Sequence, residues 1–289
     1  MEKILEIQNL TKYYGKTLGV KDLSLELYKG ETFGFIGPNG AGKSTTIRAI
    51  MNLINKTSGK ILFDGKKLER NNIKLKKQIG YLPSEVSLYD DLTVKEMLDY
   101  HESFYHEIHQ RRINLVNRLQ LDENKKINEL SLGNSKKLGI ILAFMHEPKL
   151  LILDEPTSGL DPMMQEEFFK LLKEENEKGT TIFYSTHILS EISKICNRVG
   201  VIKDGKLLKI ETINDLNKKK GSLVTIVSKD IDLIIKDLKV KPLYREDCVM
   251  KFKNTLKSNT LISKLINYKI DKLLIEDPTL EEVLLDYYK

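Results

Sequence analysis

Cysteine is scarce in this chain: two in 289 residues, Cys196 and Cys248, far apart and without the spacing of a metal or dithiol motif. A disulfide framework is therefore excluded, and a reducing cytosol suits the composition. Long apolar runs are missing too. Stretches such as residues 139–145 fall far short of the roughly 20 residues that a bilayer-spanning helix needs. The start, Met1-Glu2-Lys3-Ile4-Leu5-Glu6, has acids where a signal peptide needs an apolar core, so export of the chain is not expected. Neither sign of charge dominates: 47 Lys and Arg against 41 Asp and Glu leave +6. Nucleic acid would need that surplus clustered on one face, whereas Lys218-Lys219-Lys220 reads as a solvated linker, so no nucleic-acid partner is expected. A hydrophobic content of 40% is enough for a large globular domain with a smaller one beside it.

Against that plain background stands Gly37-Pro38-Asn39-Gly40-Ala41-Gly42-Lys43-Ser44-Thr45, a phosphate-binding loop pattern. The apolar Thr32-Phe33-Gly34-Phe35-Ile36 before it reads as a strand, and Thr46-Ile47-Arg48-Ala49 after it as a helix start. Glycines let successive N–H groups point into one concavity, and the helix adds its positive end. Lys43 then reaches the terminal phosphates of a nucleotide, while the Ser44 hydroxyl is a ligand for Mg²⁺.

The rest of the chain alternates strands and helices, an α/β pattern. Residues 4–10 and 23–27 alternate apolar and polar positions as half-buried strands do, and Tyr14 between them is placed to stack on a base. Asp64-Gly65 and Asp204-Gly205 are hairpin turns. Thr93 and Glu96 make a capping box that opens a helical stretch reaching about residue 146. His101, His106 and His109 lie in it; their spacing does not put all three on one helical face, so they read as solvated surface rather than a metal site. Ser131 is set to cap a helix with an apolar stripe at Leu138, Ile141, Leu142 and Met145. Leu150-Leu151-Ile152-Leu153 reads as a central parallel strand ending in Asp154-Glu155, where a metal-binding carboxylate belongs. Asp161-Pro162 opens another helix, and His187 follows a strand at residues 180–184.

Together these residues resemble the ATP-binding subunit of ATP-binding-cassette (ABC) transporters, a P-loop NTPase fold, over roughly residues 2–220. Leu130-Ser131-Leu132-Gly133-Asn134 is similar to the signature motif, Thr157-Ser158-Gly159-Leu160-Asp161 to the D-loop and Ser185-Thr186-His187 to the switch-histidine motif. The resemblance implies a cassette at 1–220 with a mostly parallel central sheet, an antiparallel edge sheet and a helical subdomain at about 86–146. It implies Mg²⁺-dependent ATP hydrolysis between two head-to-tail copies or a heterodimeric pair. Tyr14 would stack on adenine, the loop Gly37, Asn39, Gly40, Ala41, Gly42, Lys43, Ser44 and Thr45 would hold phosphates, and Asp154 would bind the metal. Glu155 would act as general base, His187 would contact the γ-phosphate, and Ser131, Gly133 and Asn134 would approach from the opposite subunit, with Asp161 in the D-loop. Two departures stand out. Ser84 occupies the loop position where the family carries a glutamine that reaches Mg²⁺, and Leu132 and Asn134 replace the usual glycine and glutamine.

Residues 221–289 read as a small α+β domain, with strands at 223–227 and 249–252, helices at 231–238 and 261–266, and a capping box at Thr279-Leu280-Glu281-Glu282. That ending resembles the tails of bacterial drug- and peptide-exporter cassettes. The leading expectation is a peripheral ATPase on the cytoplasmic face of the membrane. It would drive a separate permease docked near Ser84, Tyr89, Leu92 and Tyr100. The second expectation is a soluble ABC ATPase acting on ribosomes or DNA, told apart by salt-sensitive nucleic-acid binding.

Overall fold

The computed structural model describes residues 2–218, 222–254 and 256–276; Lys219-Lys220 and the Thr279–Glu282 capping box lie outside them. The chain divides into two compact units, Met1–Ile213 and Asn214–Lys289.

The first unit is built on a six-stranded sheet. Its strands run in the order Lys206–Thr212, Arg198–Lys203, Thr32–Ile36, Thr181–Thr186, Leu150–Asp154, Ile79–Leu82. The last five are parallel, and Lys206–Thr212 pairs antiparallel through the Asp204-Gly205 turn. Three central strands are buried along their whole length, which explains their continuous apolar runs. A second, antiparallel sheet is formed by Thr17–Tyr28, Lys3–Tyr14, Ser58–Phe63 and Lys66–Lys67. Its first hairpin is longer than the alternation suggests: strand pairing continues to Tyr14 opposite Thr17, so Tyr14 ends a strand instead of sitting in a loop. The turn at Asp64-Gly65 forms with both residues at positive φ, as such hairpins require.

One hydrophobic core lies between these sheets and around the Lys43–Ile50 helix. It joins Leu5, Ile7, Leu25 and Phe63 to Phe33, Phe35, Ile152, Phe183 and Ile47. Phe33 stacks on Phe183 at 6.0 Å, and each such buried ring contributes roughly 1.5–3 kcal/mol. Gly34 has a steric role. A Cβ there would meet Ile192 at 2.6 Å and the Cys196 sulfur at 3.1 Å, so its bareness lets the Leu189–Ile195 helix sit close on the sheet.

The helical stretch comprises Val94–Glu102, His109–Leu119 and Leu132–Phe144. The Thr93 capping box is present in both directions, with Thr93 N–H donating to Glu96 at 2.7 Å and Glu96 N–H to the Thr93 hydroxyl at 3.2 Å. Arg112, buried, ties the region together through Asp99, Glu102 and Glu123. Here one expectation needs correcting. His106 and His109 are exposed, but His101 is half-buried between Tyr105 and His146, its ring 5.7 Å from that of His146. Burial, with the second histidine adding to it, pushes its pKa down to about 4. The Leu132–Phe144 helix is also more enclosed than a single stripe, with Gly139, Ile140 and Ala143 buried beside Leu138 and Ile141.

The second unit is a four-stranded antiparallel sheet in the order Pro242–Glu246, Val249–Asn254, Ser222–Ser228, Ile270–Glu276, with helices Ile231–Leu238 and Ser258–Leu265. Val224, Ile226, Ile234, Met250, Phe252 and Leu261 form its own core.

Candidate functional site

The site begins where the Thr32–Ile36 strand runs out at Gly37. Two glycines of the following loop have no substitute. A Cβ on Gly37 would lie 2.3 Å from the Ile202 carbonyl, and Gly42, at φ +105°, would press 2.8 Å against the Gly19 carbonyl. Gly42 is also the cap of the Lys43–Ile50 helix and offers no side chain to its first N–H groups, which leaves those donors for an anion. Lys43 is almost entirely buried. Its ammonium donates to the Gly37 carbonyl at 2.8 Å and the Pro38 carbonyl at 3.2 Å, and stands 3.5 Å from a Glu155 carboxylate oxygen.

One cleft gathers Tyr14, Asn39, Gly40, Gly42, Lys43, Ser44, Thr45 and Glu155, together with Leu18 and Gly19, which sequence reasoning missed. Tyr14 is 45% exposed at its mouth, with the Lys12 ammonium 4.8 Å from the ring centre. A Cβ at Gly19 would stand 3.0 Å from both the Tyr14 ring and the Thr45 methyl, so this glycine lets the ring approach the loop.

Asp154 closes the buried Leu150–Asp154 strand and lies in register with Ser185. Burial raises its carboxyl above the ordinary range, while the Ser44 and Ser185 hydroxyls pull it back. Its Oδ1 is buried and finds no hydrogen-bond partner among the described residues. A carboxylate oxygen left over beside a serine hydroxyl is a donor set for a hard cation, and Mg²⁺ fits it, since that ion takes one or two protein oxygens and fills the rest with water and phosphate. The next residue turns sharply. Glu155 has φ +46°, an arrangement costing on the order of 1 kcal/mol for a residue with a Cβ, and its N–H is fixed to the Ser185 carbonyl at 2.9 Å. The turn throws the side chain between the Lys43 ammonium and the His187 ring: Oε1 faces Lys43, and Oε2 lies 3.1 Å from His187 Nδ1, just past the Thr181–Thr186 strand.

Other expected residues lie away from this cleft. Ser131 caps its helix, accepting from Asn134 N–H at 3.3 Å, and Leu132 beside it is 68% exposed. Gly133 backs onto the turn at Gly159, where a Cβ would sit 3.0 Å from the Gly159 carbonyl. Asp161 caps the Pro162–Glu177 helix through Met164 N–H at 3.0 Å. Ser84 also lies outside the residues lining the cleft; its carbonyl accepts from Lys136 at 2.7 Å. Two buried charges escaped the sequence reading. Glu191 accepts hydroxyls from Thr157 at 2.5 Å, Tyr184 at 3.0 Å and Thr186 at 2.6 Å. Lys136 fills a buried position inside an otherwise apolar helix face. The one available signal was a charged residue interrupting an apolar periodicity.

Residues 20–158 match the family model described as ABC transporter. The chain is 38% identical over 224 residues to the linearmycin resistance ATP-binding protein of Bacillus subtilis, covering 75% of this chain and 72% of that one. It is 38% identical over 225 residues to the bacitracin transport ATP-binding protein of Bacillus licheniformis, covering 76% and 73%. Among solved structures, an ATP-binding subunit of an ABC transporter superposes with a TM-score of 0.70 at 30% identity, over 75% of this chain and 92% of that one. A dimeric ATP-binding cassette in a post-hydrolysis state, bound to ADP and phosphate, gives 0.66 at 27% identity, over 73% and 99%.

Proposed function

The chain belongs to the ABC transporter family as an ATP-binding subunit and ATPase, and from that premise we propose that two cassettes hydrolyse ATP between them and drive a membrane permease on another chain. The observation that carries the reading is the placement of Glu155, set between Lys43 and His187 at the nucleotide cleft. Tyr14 stacks on the adenine. Lys43 and the first N–H groups of its helix neutralise the phosphates, whose oxygens compete with Glu155 for the Lys43 ammonium. Asp154 and Ser44 would hold Mg²⁺, which would supply charge neutralisation for the phosphates when bound. Glu155 takes the proton of the attacking water as its oxygen bonds to the γ-phosphorus; the bond to the bridging oxygen breaks, and ADP leaves with that electron pair. His187 orients the carboxylate and reaches the γ-phosphate. Ser131, Gly133 and Asn134 close the site from the opposite copy, with Asp161 at the seam, a reading supported by none of them lining the cleft in a single chain.

No helix among the described residues is long and apolar enough to cross a membrane, and the subunit is placed on the inner membrane face by the family reading alone. Tyr89, Tyr100 and Phe104 are exposed and packed edge to face at 6.2 and 5.0 Å, an apolar patch suited to a permease segment near the Ser84 loop. Relatives named for bacitracin transport and linearmycin resistance support export of a peptide or drug-like molecule. The test is Glu155→Gln, which keeps the shape and removes the base. Phosphate release is expected to fall about 100-fold or more with ATP binding retained; equal rates would overturn the assignment.

A further inference from the structure

Lys136 lies one turn into the Leu132–Phe144 helix and is 2% exposed. Its ammonium donates to three backbone carbonyls: Ser84 at 2.7 Å, Pro83 at 3.2 Å and Glu155 at 3.3 Å. An ammonium has three donors, and all three are used. The acceptors belong to the loops leaving two adjacent parallel strands, Ile79–Leu82 and Leu150–Asp154, paired as far as Leu82 and Leu153. Burial disfavours the charge, and the nearby Asp154 and Glu155 carboxylates favour it. A lysine is seldom hidden this fully unless its partners require it.

The identity of those partners gives the residue its meaning. One carbonyl belongs to Glu155, the general base. Another belongs to Ser84, at the loop position where the family resemblance expects a glutamine side chain. The helix that bears Lys136 starts at the Ser131–Gly133 turn. Resting on the shared-site reading above, we propose that Lys136 is a positioning residue that locks the signature helix to the backbone of Glu155 and of the Ser84 loop. A shift of the part of a cassette that meets the opposite copy's nucleotide is then felt at the backbone of the part that cleaves its own. A carbonyl clamp of this kind also gives the shortened Ser84 side chain less to do, because the loop is held through its main chain. Engagement of one ATP is thereby reported to the other site.

The experiment uses the full-length chain with Mg²⁺ and ATP. It compares wild type with Lys136→Met, which keeps length and loses the donors, and Lys136→Gln, which restores two. Phosphate release against ATP concentration, equilibrium binding of a fluorescent ATP analogue and thermal unfolding are measured for each. Lys136→Met is expected to lower kcat by roughly 10- to 100-fold, the scale of a misplaced catalytic group, and to bring the Hill coefficient towards one. Analogue affinity should change less than about threefold on this reading, because the phosphate loop is untouched. Lys136→Gln should recover part of both losses. Wild-type kcat and Hill coefficient in Lys136→Met, beside Glu155-dependent hydrolysis in the wild type, would overturn this inference alone. A parallel fall of kcat, affinity and unfolding midpoint in Lys136→Met, without recovery in Lys136→Gln, would also overturn it by assigning Lys136 to packing. Absence of Glu155-dependent hydrolysis in the wild type would overturn the shared-site reading and this one with it.

Discussion

Glu191 shows how much one buried side chain can organise. Its Oε1 holds the Thr157 hydroxyl, and its Oε2 holds those of Tyr184 and Thr186. Thr157 follows Glu155 in the loop, and Thr186 precedes His187, so a single carboxylate ties together the two segments that carry the pair proposed to be catalytic. Thr186 uses its own oxygen again, accepting from Ile188 N–H at 2.9 Å. Removing the acceptor strands three buried hydroxyls. Glu191→Ala is expected to cost about 1–3 kcal/mol in urea unfolding and to slow phosphate release about 10-fold through misplaced His187. Wild-type stability and rate in that variant would contradict the role. The phosphate loop and Asp154-Glu155 were legible in the sequence because their chemistry is local: glycines set by sterics and acids at a strand end. Glu191 and Lys136 were not, since a charge on a helix looks solvated until the neighbouring loops are known.

At the scale of elements, the helical stretch shows both success and failure of local reasoning. Thr93 with Glu96 and Ser131 with Asn134 N–H were readable because a cap satisfies donors a few residues away. His101 was misread as solvent-facing because its cover, Tyr105 and His146, comes partly from the turn after the distant Leu132–Phe144 helix. That packing gives the region a pH dependence. The folded-state pKa of His101 is about 4, below the ordinary 6.5, so the unfolded chain takes up the proton first. The associated stability is complete above pH 6.5, falls as pH drops from 6.5 to about 4, and levels off below. The full effect is at most roughly 3 kcal/mol. His146, also lowered by burial, acts in the same direction. Urea midpoints at pH 7 and pH 4.5 should therefore converge in His101→Leu relative to wild type; an unchanged gap would rule the explanation out.

For the whole molecule, the α/β cassette was readable from the order of its motifs, because the Gly37 loop, Asp154-Glu155 and His187 each follow a buried strand. The second unit was less so. Its Pro242–Glu246 strand is exposed at nearly every position and opens on proline, as an edge strand can, leaving no alternation to detect. The two units also divide the cysteines. Cys248 is exposed between the Pro242–Glu246 and Val249–Asn254 strands, while Cys196 is buried against Gly34, its thiol pKa pushed up by burial and by Glu191. A maleimide is expected to modify one thiol per native chain, at Cys248, with ATP hydrolysis unchanged, and a second only in denaturant; fast double labelling of native protein would refute the burial. The close seat of the Leu189–Ile195 helix on Gly34 thus becomes a clock. With Cys248 blocked, the rate at which Cys196 turns reactive times how often the helix bearing Glu191 lifts from the sheet.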